Sequence, residues 1–200
     1  MKPHYKPIPS ESKLFKVEFQ KTSQEFYYPW HYHAELELTF ILSGQGVRYV
    51  GNSIENFYED ELVLLGSNLP HTWNTTIDQN QPVTAIVICR KADFFDKNWM
   101  GSIEFESIRN LSVLMNKGIK VSKEVALALK PKFFEMLSAS PFEKLMILLQ
   151  VLEYLSHNHE HRFLCEQEFT CDIDDTDKTR INSVYDYIQK NYQRQISLAD

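Results

Sequence analysis

The sequence predicts a mainly β domain, a sandwich or small barrel, with helices appended behind it. Three observations predict this. Short apolar runs separated by Gly- and Asn-containing turns fill roughly the first 90 residues. After about residue 91 the apolar spacing changes to the three-and-four of helices. Aromatic residues make up 13% of the chain, with 10 Tyr and 13 Phe, which suits pleated surfaces and an aromatic-lined pocket.

Taken in order, residues 1–12 carry three prolines and little apolar pattern, and are expected to form an extended arm. Strands are predicted at 14–19, 35–42, 46–50, 61–65 and 83–89. The turns between them fall at Ser43-Gly44-Gln45-Gly46, Gly51-Asn52-Ser53 and Gly66-Ser67-Asn68, since Gly and Asn tolerate positive φ. Short strands this closely spaced favour a sandwich or barrel over an α/β fold.

A first helix is predicted over 103–116, with Ile108, Leu111 and Met115 on one face and Lys117-Gly118 as its stop. A second spans 122–138, capped by Ser122 and kinked or broken at Pro131. A third starts from Ser140 as cap, with Pro141 first and Glu143 third. Along it Leu145, Leu148, Leu152 and Leu155 repeat at three and four, a coiled-coil-like seam expected to form a dimer contact. The domains are accordingly an arm at 1–12, a β-barrel at 13–95, a helical dimerisation region at 96–160 and an acidic linker at 161–179. In the polar stretch that begins at residue 157 and runs into this linker, His157, His159 and His161 are expected to be a solvated helix end rather than a metal site. Helical period returns from Ile181 to Tyr192.

The charge balance is 21 basic against 27 acidic residues, a net charge of −6. Phosphate contacts need clustered Lys and Arg, so these residues alone are expected to show no sequence-specific DNA binding. Three cysteines without a CxxC pair argue against a disulfide framework. The N-terminus has no apolar signal-peptide core, and no run approaches ~18 apolar residues. The expectation is a cytoplasmic protein without a membrane partner.

The run His31-Tyr32-His33-Ala34-Glu35-Leu36-Glu37 carries the chemistry. On a continuous strand alternate residues share a face. His31, His33, Glu35 and Glu37 then lie on one side, with Leu36, Leu38, Phe40 and Leu42 on the other. The two imidazoles can converge on one ion if a neighbouring strand adds a third ligand, for which His71 is the candidate. Imidazole with carboxylate suits Zn, Ni, Mn or Fe. The same residues would equally serve as a polar pocket floor contacting an organic effector. Glu35 rivals Glu37, because a bulge would exchange their directions. Tyr28, Trp30, Tyr49 and Trp73 lie near the motif and are candidates for the effector pocket. No nucleophile motif and no phosphate-cradling Gly loop is present, and the chain is not expected to be an enzyme.

His31-x-His33-x3-Glu37-x6-Gly44 resembles the first cupin motif, and Asp60–Leu65 followed by Pro70-His71 resembles the second as AraC-type transcription regulators carry it. Ile181–Tyr192 with Ile196–Asp200 is similar to the opening of that family's helix-turn-helix domain, placed at 180–200. Three departures stand out. Glu25 occupies a place where cupin enzymes have Gly, Gly66-Ser67-Asn68 replaces Pro-x-Gly, and Thr75 replaces a final Asn. They count against an enzyme more than against a regulator. The resemblance implies a cupin barrel (jelly roll) that binds a small-molecule effector such as a sugar. It implies a homodimer that reaches DNA only through a further C-terminal domain, and an arm that folds over the ligand. The alternative is a metal-dependent cupin enzyme, an isomerase or dioxygenase.

Overall fold

The structure, a computed structural model, describes residues 3–8, 14–22, 29–75, 82–91 and 101–168. Tyr28, most of the acidic linker and the segment 180–200 lie outside them. Two β-sheets face each other and helices cover the outer side of one. Strands β1 (His4–Tyr5), β3 (His31–Tyr32), β8 (His71–Asn74), β5 (Gly46–Val50) and β6 (Ser53–Phe57) form the first sheet in that spatial order. The second sheet runs β11 (His161–Phe163), β10 (Ile119–Val121), β7 (Glu61–Leu65), β4 (Leu36–Ser43), β9 (Val83–Arg90) and β2 (Phe15–Thr22). No strand ladder joins the two sheets among the described residues, so the barrel is not closed by backbone pairing and the sheets meet through side chains.

The alternation in β4 explains the layering. Leu36, Leu38 and Phe40 point outward into a core shared with the helices, together with Leu62, Leu64, Ile86 and Ile88. Ile41 belongs to the inner core between the sheets, with Val63, Leu65, Trp73, Ala85 and Val87. The outer core is completed by α1 (Glu106–Leu114), α2 (Lys123–Ser138) and α3 (Pro141–His157). Phe133 of α2 packs on Phe40 with ring centroids 5.1 Å apart.

The capping chemistry is as the sequence predicts. The Ser122 hydroxyl accepts from the Val125 amide at 3.3 Å. Ser140 and Glu143 form a reciprocal capping box, in which the Ser140 amide donates to Glu143 Oε2 at 2.8 Å. Gly118 ends the first helical stretch at φ 62°, a conformation that disfavours side chains. Pro131, however, neither breaks nor ends α2 but sits exposed inside it.

Three expectations need correction. The leucine seam is not a free dimer face. Leu148, Leu152 and Leu155 are buried in the chain's own outer core, and Leu145 packs half-buried against it. The apolar residues that α3 leaves exposed are Phe142, Met146 and Tyr154. Next, the helical region is not separate from the barrel. Its strand β10 pairs antiparallel with β7 and also holds β11, which comes from the stretch assigned to a linker. Finally, residues 31–37 are not one strand. The chain leaves the first sheet after Tyr32 and enters the second at Leu36.

The sheets are tied along one edge by charge. Arg48 of β5 is fully buried, and its guanidinium donates to Glu55 of β6 at 2.7 Å and to Glu61 of β7. Lys120 of β10 pairs with the same Glu61, and Arg162 of β11 donates to Glu55 at 2.9 Å. Beyond β11 the chain is held down by Leu164 N–H to Gly118 and Cys165 N–H to Lys117, both at 2.9 Å. On the helical side, Lys130 of α2 donates to Asp60, in the β6–β7 turn, at 2.7 Å.

Candidate metal and effector site

The crossing between sheets brings His31, His33 and Glu37 together from two directions. His31 and Tyr32 run beside β8, and the register sets His31 directly opposite His71. Glu37 comes from β4 in the facing sheet. All four side chains are buried. The His31 and His71 rings have centroids 4.3 Å apart, and those of His33 and His71 lie 4.9 Å apart. The ligand atoms of His31, His33 and His71 fall within 4.8 Å of one another.

Each imidazole is oriented by a backbone carbonyl two residues away. Nδ1 of His31 meets Pro29 O at 2.7 Å, that of His33 meets Glu35 O at 3.1 Å, and that of His71 meets Leu69 O at 2.8 Å. A carbonyl only accepts, so each Nδ1 carries a proton and a neutral ring presents a lone pair at Nε2. Two of these lone pairs face Glu37. Its Oε2 lies 3.0 Å from His33 Nε2 and 3.6 Å from His71 Nε2. His71 Nε2 is buried without a hydrogen-bond partner. Acceptor facing acceptor in a buried site calls for a cation in the gap, either a proton or a metal ion. The donor set therefore fits a divalent transition metal.

Electrostatics sharpen this. Burial pushes the His31 imidazole down to about 2, helped by the nearby His71 and Lys6, so the ring stays neutral and ready to donate its lone pair. Burial acts to raise the Glu37 carboxyl, but with a proton in the gap His71 and His33 outweigh it and hold it well below the usual carboxylate range. The Thr39 hydroxyl donates to Glu37 Oε1 at 2.5 Å. Burial pushes the Cys89 thiol well above its ordinary range, with the Glu37 and Glu35 carboxylates adding to the effect.

A cavity of about 30 Å³ opens beside the cluster, lined by Lys6, Gln20, His31, Glu37, Thr39, His71, Trp73 and Val87. That is room for an ion or a water or two, not for a sugar. Lys6 reaches it from the arm, whose β1 runs parallel to β3 and whose Lys6 amide bonds Tyr32 O at 2.9 Å. Trp73 Nε1 is buried without a hydrogen-bond partner, a second unsatisfied group in the lining.

The other expected pocket residues scatter. Trp30 and Tyr49 do not reach the cluster. With Gly51, Asn52, Ile54, Thr72 and Asn74 they line a separate hollow of about 390 Å³. Glu35 turns behind His33, its Oε2 3.7 Å from His33 Nδ1, and it does not line the small cavity. His157 and His159 are exposed, and His161 packs edge-on against Phe163. Lys6, Gln20, Thr39 and Cys89 are site residues that spacing alone did not reveal. Only the register of β4 with β9, which opposes Cys89 to Glu37, places that thiol.

No family model matches the chain, and no curated protein does. Among solved structures, apo ToxT from Vibrio cholerae matches over 96% of this chain and 70% of its own, at 13% identity and a TM-score of 0.50. ToxT bound to (E)-4-(8-methylnaphthalen-1-yl)but-3-enoic acid matches over 94% and 70%, at 16% identity and 0.47. A cupin 2 conserved barrel domain protein from Salinispora arenicola matches over 48% of this chain and 80% of its own, at 14% identity and 0.37. At such identities the likeness concerns fold. The architecture is mainly β, a cupin-type two-sheet barrel followed by helices.

Proposed function

We propose that the chain is the effector-sensing module of an AraC-type transcription regulator, in which occupancy of the barrel interior is read by the helices packed on its outer sheet. The observation that carries this reading is the two-sided use of β4. The strand presents Glu37 and Thr39 to the buried cluster and Leu36, Leu38 and Phe40 to the helical layer. A ligand that shifts Glu37 relative to His71 moves the strand on which Phe133 rests. Linkage then requires only that the ligand bind one arrangement better than the other. The ToxT likeness supports the reading because it spans barrel and helices together, and ToxT is an AraC-family regulator.

His31, His33, Glu37 and His71 would hold a divalent metal, which on binding would supply a Lewis-acidic contact for a polar effector. An organic effector, a sugar among them, needs more than the small cavity and enters once the arm with Lys6 swings aside. A homodimer would use Phe142 and Met146 in place of the buried seam. DNA would be bound through a further domain. No helix among the described residues is long and apolar enough to cross a membrane, and a cytoplasmic location belongs to the proposal.

A thermal-shift screen of metals and small polar compounds on the purified chain tests this. A compound that stabilises the wild type, loses its effect in Glu37→Gln and changes its effect when residues 1–8 are removed supports the sensor. The competing reading, a metal-dependent isomerase or dioxygenase, draws on the same histidine and carboxylate cluster. Stoichiometric iron or manganese accompanied by turnover would establish it instead.

A further inference from the structure

The sensor reading gives no role to Cys89. Its place is nevertheless set by the sheet. Residues directly opposed in an antiparallel pair send their side chains to the same face, and Cys89 is opposed to Glu37. The thiol is buried, forms no disulfide, and lies 3.6 Å from Glu37 Oε2. The donor atoms of His33, Glu37 and Cys89 fall within 4.8 Å of one another, as those of the three histidines do. His33 is common to both trios.

The distances suit an ion shared by His33, Glu37 and Cys89. With metal–nitrogen and metal–oxygen bonds of about 2.0–2.1 Å and a metal–sulfur bond of about 2.3 Å, a tetrahedral site has N···O edges of about 3.3 Å and S···O edges of about 3.5 Å. From Glu37 Oε2, His33 Nε2 stands at 3.0 Å, His71 Nε2 at 3.6 Å and Cys89 Sγ at 3.6 Å. His71 Nε2, buried without a hydrogen-bond partner 3.6 Å from the same Glu37 oxygen, is the independent sign that something is to be bound at this point.

We infer that Cys89 is a thiolate ligand of a metal held with it by His33 and Glu37, and that it sets the metal preference of the site. This rests on the reading that the histidine and carboxylate cluster binds a divalent ion. Binding exchanges the thiol proton for the metal: the S–H bond breaks, a sulfur–metal bond forms, and the proton is released to solvent, with no change in oxidation state. A sulfur donor favours zinc and disfavours manganese, whose natural partners are oxygen ligands. The four-metal choice left open by imidazole and carboxylate is thereby narrowed to a zinc-type ion.

Cobalt(II), a coloured stand-in for zinc, tests this on the full chain. One equivalent should give an intense near-ultraviolet sulfur-to-cobalt charge-transfer band. The band should persist in Cys165→Ser and vanish in Cys89→Ser, with zinc affinity in the latter reduced about tenfold or more. Cobalt retained without the band, or a band that survives in Cys89→Ser, overturns the thiolate ligand and leaves the metal cluster standing. Cobalt not retained at all in equilibrium dialysis overturns both. A Cys165→Ser/Cys171→Ser double variant, in which Cys89 is the one thiol left, decides the matter even if Cys89→Ser fails to fold: no band there overturns the thiolate ligand.

Discussion

Arg48 holds the two sheets together, and nothing in its neighbourhood in sequence announces this. It falls in a strand that the alternation identifies correctly. Its partners, however, come from β6 and β7, and the network continues to Arg162, 107 residues from Glu55. Arg48→Met should leave the Glu61 carboxylate buried with only Lys120 beside it, and destabilise the protein by about 3–5 kcal/mol in urea denaturation. Arg162 is a milder case, because it is half-exposed. Its hydrogen bond holds the Glu55 carboxyl below the ordinary 4.5. A depressed carboxyl contributes stability above its unfolded value and loses it as pH falls through the folded one. Arg162→Met should therefore flatten the acid side of the stability–pH curve below about pH 4.5, by under 1 kcal/mol after solvent screening. The site shows the same division. His31, His33, Glu37 and His71 could be singled out from motif spacing and its resemblance to the cupin motifs, with Glu35 as a rival. Thr39 and Cys89 could not, since their roles depend on strand register, and the fate of Glu35 depends on where the chain changes sheets.

At the scale of elements, helix ends and central strands were the legible parts. Ser122, Ser140 and Gly118 announce themselves because caps are local chemistry. The strands at 46–50 and 61–65 match to the residue. Two-residue strands such as His4–Tyr5 and His31–Tyr32 are too short for any period, and β10 and β11 are strands only because β7 offers an edge. Pro131 shows propensity overridden by packing. Leu129, Phe133 and Met136 fix α2 on the barrel on both sides of it. The proline still lacks an amide hydrogen and crowds the preceding turn. Because it is exposed, Pro131→Ala should raise stability by about 1–3 kcal/mol in thermal or urea unfolding. A loss of stability there would mean that the helix is bent to fit the barrel.

At the scale of the whole molecule, the order of β then α was readable, but the separation between them was not. Periodicity changes near residue 91, yet the second sheet recruits strands from both sides of that change. Barrel, cluster and helices are thus expected to unfold as one unit. An ion bound only by the folded cluster should shift that whole transition. Zinc at about 100 times its Kd should add about 2.7 kcal/mol, and a chelator should remove all of it. A calorimetric trace in which zinc moves only one of two transitions would show that the helices and the barrel melt apart.

The pairing of β10 with β7 bears on any attempt to obtain the barrel alone. A chain ending at Lys91 would strip β7 of that neighbour and bare Leu36, Leu38, Phe40, Leu62 and Leu64, which the helices cover. An apolar strand with open backbone donors and acceptors is a template for edge-to-edge association. Such a fragment should run as oligomers or precipitate in gel filtration, whereas a chain ending at Glu168 should not. The last elements of the described chain thus act as the barrel's own safeguard against aggregation.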